Sequence, residues 1–137
     1  MARKFELKNV PIMDINDFGE EIQVRQVCTD GHGKPKMIRT ADGTQEYETR
    51  PAFFDYRVSL IGMIRNSVEQ EGIDFDELGR RIVLERKLLD AKKGEVIFEE
   101  SEYTELCAII RKVKFTKSSI EMYTMISELF EIKEFKL

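Results

Sequence analysis

The spacing of the apolar side chains changes once along this chain, near Thr49, and no other feature limits the possible folds as strongly. Before that point apolar residues tend to alternate with polar ones. In EIQVRQVC, residues 21–28, Ile22 and Val24 fall on one face, which is typical of a half-buried strand. After that point apolar residues recur every three or four positions, as in amphipathic helices. Strands followed by helices predict an α+β fold.

Two Asp-Gly pairs divide the first part into short segments. Asp30-Gly31 and Asp42-Gly43 each separate two short runs, and this dipeptide favours the tight turns of β-hairpins. Pro11 interrupts the run KFELKNVPIMDI and indicates an edge position or a bend, because proline has no N–H to donate within a sheet. Residues 1–48 are therefore predicted to form a small antiparallel β-meander.

The second part carries the signals of about four helices. The first is predicted to begin after the capping residue Thr49, with Pro51 in its first turn. It covers residues 50–71 and stops at Gly72, a residue type that commonly ends helices. The second helix follows Asp74, which can cap it.

This second helix carries an apolar seam and is predicted to end at Gly94. Leu78, Ile82 and Leu89 form the seam, and Phe75 reinforces it. The segment EVIFEE that follows is predicted to be a short strand or an extended connector.

The two remaining helices are predicted in ESEYTELCAIIRKV and TKSSIEMYTMISELFEI. The first places Tyr103, Leu106 and Ile110 on one face, and the second begins at Ser118 or Ser119 as its cap.

Length and composition fit one folded domain with a charged surface. The chain has 137 residues, of which 42% are hydrophobic and 35% charged, with a net charge of −4. A single domain is predicted over residues 1–137, with a β-rich part at 1–48 and an α-rich part at 49–137. The mild acidity disfavours nonspecific nucleic-acid binding, since no half is strongly basic.

The start of the chain and its two cysteines indicate the cytoplasm. The first residues form no apolar signal-peptide core, and no apolar run approaches the roughly 18 residues that span a membrane. Cys28 and Cys107 are far apart in the sequence and are predicted to be free thiols in a reducing compartment.

The segment CTDGHGKPK, residues 28–36, contains the only histidine and most resembles a chemical site. A zinc site needs about four ligands, usually in close pairs, but Cys28 and His32 stand alone. A phosphate-binding loop needs its Gly-Lys at the start of a helix, and here proline follows the lysine. Cys/His catalysis would need a third, orienting group. A turn is the favoured interpretation, with no metal, cofactor or catalytic residue.

The acidic runs DFDE at 74–77 and EESE at 99–102 have two interpretations. Paired carboxylates can transfer protons or hold Mg²⁺. Both runs precede predicted helices, where negative charge is stabilised by the helix dipole, and this structural role is favoured.

The basic residues of the second and third helices raise an alternative hypothesis, a nucleic-acid-binding regulator. Acidic neighbours interrupt the cluster, so a solvated helix face is favoured. The residues that would bind nucleic acid are Arg80, Arg81, Arg86, Arg111, Lys112, Lys114 and Lys117.

The predicted helices carry more apolar residues than one small domain easily covers. The helix at 50–71 has a second apolar set beside its main stripe, and the last helix is rich in methionine and aromatic residues, which bind adaptably. The residues predicted to contact a protein partner are Phe54, Val58, Met63, Met122, Met125 and Phe130.

The order of the segments resembles small, largely uncharacterised accessory proteins of tailed bacteriophages. The segments are LKNVPIMD, a helix, FDELGRRIVLERKLLDAKKGEVIFEESEYTELCAIIRKV, and a last helix ending in MISELFE. The resemblance covers residues 50–131, and it extends weakly to residues 6–14. Where those proteins have a tyrosine-containing segment, this chain has RIVL at 81–84. The resemblance implies a viral origin and a non-enzymatic accessory role.

The leading functional hypothesis is therefore a phage-type accessory protein, not an enzyme, that acts by binding protein. It would form a homo-oligomer or bind a host or viral protein in the host cytoplasm, without a cofactor, a membrane or an evident small-molecule substrate. The nucleic-acid-binding regulator is the alternative, and a virion or assembly component is the third hypothesis.

Overall fold

A computed structural model describes residues 2–68, 72–132 and 134–135. The chain divides into two compact units: a helical unit of Met1–Asn9 with Asp55–Leu137, and a hairpin unit of Val10–Phe54. The elements, in chain order, are β1 (Ala2–Glu6), β2 (Asn9–Pro11), β3 (Met13–Ile15), β4 (Glu21–Gln23), β5 (Arg25–Val27), β6 (Met37–Arg39), β7 (Gln45–Tyr47), β8 (Thr49–Pro51), β9 (Phe53–Asp55), α1 (Tyr56–Asn66), α2 (Phe75–Asp90), β10 (Glu95–Glu99), α3 (Glu100–Arg111), α4 (Ile120–Phe130) and β11 (Glu134–Phe135).

The predicted α+β class is confirmed, with antiparallel strand pairs first and four helices afterwards. The strand predicted in EVIFEE is β10. The prediction of one domain over 1–137 stays a prediction, and the two units are described separately below.

The helical unit has its own sheet and core. β1 lies between β10 and β11 and is antiparallel to both, with Phe5 opposite Val96. β10 alternates between exposed and buried residues and buries Val96 and Phe98, and β1 buries Ala2 and Phe5. The helices contribute the remaining large buried apolar side chains, which are Tyr56, Leu60, Ile61, Met63, Ile64, Leu84, Leu88, Tyr103, Leu106, Ile109, Ile110, Met125 and Leu129.

Side-chain caps fix where the helices begin. The Asp74 carboxylate accepts from the Glu77 N–H at the start of α2, and Ser119 Oγ accepts from the Met122 N–H at the start of α4, so both predicted caps are confirmed. At α3, Glu99 and Glu102 form a reciprocal capping box.

The predicted start of the first helix is wrong. Residues 49–51 form β8 and pair with β5, which places Pro51 in a strand and not in a first helical turn. The helix begins only after Asp55, whose carboxylate accepts from the Val58 N–H at 3.2 Å. The strand pairing reaches residue 55 because β9 pairs with β2. α1 ends at Asn66, and residues 69–71 of the predicted helix lie outside the described residues.

The hairpin unit is a branched ribbon of very short strands. β3 pairs with β4, β6 with β7, and β5 with the distant β8. Two closed triangles of backbone hydrogen bonds join the branches. Each triangle consists of three residues. The backbone N–H of each residue donates to the carbonyl of the following one, in the order given below, at 2.7–3.0 Å. The first triangle joins Ile12, Ala52 and Val24, and the second joins Cys28, Glu48 and Lys36.

Three tight turns with one hydrogen-bond pattern close the branches. Each turn spans five residues, at 16–20, 30–34 or 40–44. The N–H of its first residue donates to the carbonyl of its fifth residue, and the N–H of its fourth residue donates to the carbonyl of its first residue. The fourth residue is Gly19, Gly33 or Gly43, each with φ between 76° and 87°, as a three-residue hairpin loop requires. In the second turn it is therefore Gly33, not the Gly31 of the Asp-Gly pair, that has the positive φ.

The apolar seam predicted on the second helix lies on the surface. We name Phe75, Leu78, Ile82 and Leu89 the α2 seam, and all four side chains are exposed. The face of α2 toward the core instead carries Leu84, Leu88 and Arg81.

Candidate functional site

A concave surface of the helical unit lies along α4. This groove, the α4 groove, has a volume of about 490 Å³. It is predominantly apolar because α4 turns only Met125 and Leu129 fully into the core and leaves its other apolar side chains at the rim. The Arg111 guanidinium lies 4.8 Å from the ring centre of Phe130, one of the side chains that line the groove. The main side chains lining the groove are Phe115, Lys117, Met122, Tyr123, Ile126 and Phe130.

A second groove, of about 500 Å³, adjoins the first at Met122. It runs between the carboxyl end of α1 and the segment that follows α3, with Met63 and Asn66 on one side. Lys112 and Lys114 contribute positive charge to the other side. Two neighbouring grooves thus combine apolar walls with lysine side chains.

The structure distributes the six predicted partner-contact residues over four environments. Met63 and Met125 are buried in the core of the helical unit. Met122 and Phe130 are partly exposed and line the α4 groove. Val58 is exposed on α1, and Phe54, in the strand β9 of the hairpin unit, is half-buried.

The hairpin unit has almost no core of its own. Ala52 is its only buried side chain among described residues 10–54. Eight large apolar side chains of the same unit are exposed, namely Ile15, Phe18, Ile22, Val27, Met37, Ile38, Tyr47 and Phe53.

Sequence reasoning missed this exposed apolar surface. It assigned the apolar surplus to the helices and assumed that alternating strands would have a buried side. One available signal was the length of the strands, since hairpins of about three residues with closely spaced turn signals leave little area for a packed face.

The segment at 28–36 is a turn, as the favoured interpretation predicted. Thr29 bridges to Pro35, and the Asp30 carboxylate accepts from the backbone N–H groups of His32 and Lys34 at 2.8 and 3.0 Å. The side chain of Asp30 thus stabilises the loop. In the described part of the chain, no three His, Cys, Asp or Glu side chains are grouped to hold a metal ion.

The acidic runs act at the starts of helices, which is the structural role that was favoured for them. Asp74 caps α2, and Glu99 with Glu102 caps α3. Glu100 pairs with Arg3 at 2.9 Å, and this hydrogen-bonded ion pair lowers the pKa of the Glu100 carboxyl.

Arg81 is integrated into the fold. It is only 4% exposed, and its guanidinium donates to Ile64 and Ser67 of the α1 end and to Glu77 of its own helix. An ordered structural arginine of this kind is not free to contact phosphate.

The other basic residues of the nucleic-acid hypothesis are dispersed. Arg80 pairs with Glu105 at 3.5 Å, Arg86 is exposed on α2, and Arg111 covers Phe130. Lys112 and Lys114 line the second groove, and Lys117 lines the α4 groove.

The shifted pKa values of the interior have structural causes. Burial raises the pKa of the Tyr103 hydroxyl to about 12, and this hydroxyl donates to the Leu129 carbonyl at 2.8 Å. Burial also raises the pKa of the Cys107 thiol. Cys107 therefore stays a neutral, enclosed thiol, which is the opposite of an activated nucleophile.

Both cysteines are free, as predicted. No described helix is both long and apolar enough to cross a membrane.

Neither a family model, nor a curated protein, nor a solved structure matches this chain. The bacteriophage resemblance therefore stays a prediction, and the functional argument depends on the geometry.

Proposed function

We propose that this protein is a non-enzymatic accessory protein that acts through protein–protein interaction, and that the hairpin unit is its principal contact surface. The partner is a further copy of the chain or a host or viral protein. The observation that carries this proposal is the hairpin unit's lack of a core, combined with its eight exposed apolar side chains.

The energetics of the hairpin unit support the proposal that it packs against another protein. Ordering a backbone costs about 1–2 kcal/mol per residue, and a net hydrogen bond returns only about 1 kcal/mol. Burial of apolar side chains normally supplies the remainder, and this unit buries only Ala52 among its described residues. The hairpin unit gains the apolar burial that it lacks when its exposed side chains pack against another protein.

The charge of the first hairpin indicates the chemistry of the partner surface. Residues 13–23 contain Asp14, Asp17, Glu20 and Glu21 and no lysine or arginine. Phe18 is exposed at the tip of this hairpin. A surface with an apolar pocket and a basic rim would complement it, because rim charges steer association and select partners.

Variants of two similarly exposed isoleucines, the first combined with a change at Phe18, test the proposal. Ile15 in the hairpin unit and Ile120 at the start of α4 are exposed to 68% and 72%. We expect Ile15→Ser, combined with Phe18→Ser, to abolish the complex of the full chain as measured by light scattering, and Ile120→Ser to leave it intact.

Hydrogen exchange of the same samples gives the second measurement. Amides of residues 10–54 should be poorly protected in the free chain and protected in the complex. Amides of residues 10–54 that are already protected in the free chain, and that gain no protection in any mixture, would contradict the proposal.

The alternative function, nucleic-acid binding, has one favourable observation. Lys112, Lys114 and Lys117 lie in one connector and line two adjoining grooves. Binding through these residues should fall steeply with salt, because each phosphate contact releases counterions. Fluorescence anisotropy of a labelled oligonucleotide at low salt tests this alternative. An anisotropy that does not change when the protein is added would refute nucleic-acid binding. A role as a virion or assembly component, and a location in the host cytoplasm, stay predictions.

A further inference from the structure

The α2 seam is an apolar helix face whose four side chains are all exposed. Phe75, Ile82 and Leu89 are spaced seven residues apart and Leu78 lies between the first two, so all four share one side of α2. At 1.5 Å per residue the seam is about 21 Å long. Leu84 and Leu88 hold the other side of the helix in the core.

Gly79 lies next to the seam, in the interior of the helix. Apart from its chain neighbours and the backbone of its own helix, a methyl group added at this position would meet no atom within 4 Å. Glycine in a helix interior destabilises it relative to alanine, and no contact in the described part of the chain uses the space that glycine leaves. Small residues at such positions allow a second helix to approach closely.

Three of the four seam residues are symmetric about Ile82, and the counterpart of Leu78 in this symmetry is Arg86. Phe75 lies seven residues before Ile82 and Leu89 seven residues after it. If a second α2 packs antiparallel on a two-fold axis at Ile82, Phe75 meets Leu89 of the second copy, and Ile82 meets its own equivalent. Both ends of the seam are then covered by the same contact.

The charges of α2 favour the antiparallel arrangement over the parallel one. Asp74 and Asp76 lie at the start of α2, whereas Arg86, Lys92 and Lys93 lie near or just beyond its end. Glu77 and Lys87 are already paired within the chain, with Arg81 and Glu102. Antiparallel packing places each acidic end beside a basic end and opposes the two helix dipoles. Parallel packing would place like charges together.

We infer that two copies of this chain associate through the α2 seam as an antiparallel, two-fold symmetric helix pair. This inference goes beyond the proposed function because it assigns self-association to a surface outside the hairpin unit and specifies its geometry. The α2 contact and the contacts of the hairpin unit can therefore be tested separately.

Cysteine cross-linking tests the contact directly, in a full-length chain carrying Cys28→Ser and Cys107→Ala. Ile82→Cys should form a covalent dimer under mild oxidation, since a residue on the two-fold axis meets its equivalent within disulfide range. The control is Val83→Cys, the next residue, which is more exposed (53% against 41%) but points away from the seam. We expect Ile82→Cys to cross-link at least about tenfold faster than Val83→Cys.

Mixed cross-linking tests the direction of the pair. A tagged Phe75→Cys chain mixed with an untagged Leu89→Cys chain should yield the mixed dimer in excess over both homodimers. Predominant 75–75 and 89–89 products would overturn the antiparallel geometry. Equal cross-linking rates for positions 82 and 83 would overturn the contact itself.

Native mass separates this inference from the role of the hairpin unit. The wild-type chain should show twice 16.1 kDa by light scattering, and Ile82→Asp should halve the mass while Val83→Asp does not. Circular dichroism of both variants establishes that the helices are retained. A wild-type monomer at the concentrations used for cross-linking refutes the inference. A dimer that persists in Ile82→Asp also refutes the inference. If that dimer is lost in the double variant Ile15→Ser with Phe18→Ser, the result supports the proposed function alone.

Discussion

Replacing Arg81 with methionine should destabilise the helical unit, because this arginine closes the carboxyl end of α1. One guanidinium nitrogen donates to the Ile64 carbonyl at 2.7 Å and to Ser67 Oγ at 3.1 Å. The other donates to the Ser67 carbonyl at 3.1 Å and to Glu77 Oε1 at 3.0 Å. The last carbonyls of a helix have no partner within the helix, so they depend on such donors.

The expected loss is about 2 kcal/mol in the free energy of unfolding. A buried acceptor left without a donor costs about 1–3 kcal/mol, and the substitution removes donors from two carbonyls at once. Two effects offset this cost. Methionine keeps the apolar stem of the side chain in place, and the substitution removes a buried guanidinium whose Nε has no hydrogen-bond partner in the described structure.

Urea unfolding followed by far-ultraviolet circular dichroism measures the effect, since the four helices all belong to the helical unit. Arg80→Met is the matched control: its side chain is 55% exposed and its ion pair with Glu105 is long, so it should cost less than about 0.5 kcal/mol. Equal stability of the two variants would show that desolvation of the Arg81 guanidinium cancels its hydrogen bonds, and would refute the reasoning.

Three further predictions concern titratable groups. Burial raises the pKa values of Tyr56 and Tyr103 to about 12, so their stabilising contribution is complete below the ordinary value of 10.0 and is lost as the pH rises through 12, which alkaline unfolding followed by tyrosinate absorbance measures. Hydrogen bonds from threonine hydroxyls lower the pKa of Asp42 to about 2, so its turn should persist above pH 3.8 and weaken as the pH falls through 2, which an NMR titration of this carboxyl follows. Cys28 should react with a thiol reagent in the folded protein and the buried Cys107 only after unfolding, as counted by mass spectrometry; two modified thiols in the native protein would contradict this.

Signals confined to a few neighbouring residues were predictive. Asp74 caps the helix that the sequence assigned to it, and Ser119, one of the two caps considered for the last helix, caps α4, because a cap needs only its own side chain and the next backbone N–H groups. The turn at 28–36 was also identified correctly, although Gly33 and not Gly31 takes the left-handed conformation. The Asp30 carboxylate selects that loop by accepting from two N–H groups beyond the Asp-Gly pair.

Signals that depend on residues far apart in the chain did not predict the structure. Thr49 and Pro51 looked like a helix start, but residues 49–51 pair with residues 25–27, which no local pattern reveals. The last helix shows the same limitation at the candidate site. Met122 and Met125 looked equivalent in sequence, yet Met125 is buried in the core and Met122 lines a groove.

The sequence by itself determined that strands come first and helices afterwards, and where α2 and α4 begin, because periodicity and capping act within a few residues. The end of α2 at Asp90, before the predicted stop at Gly94, was not determined in this way. Only the tertiary structure decided which apolar faces meet each other. It turned Leu84 and Leu88 inward and left Ile82 outside, and it left the hairpin unit without a core. The physical reason is that burial depends on area shared between elements far apart in the chain, so an apolar face predicts that a partner is needed but not which surface provides it.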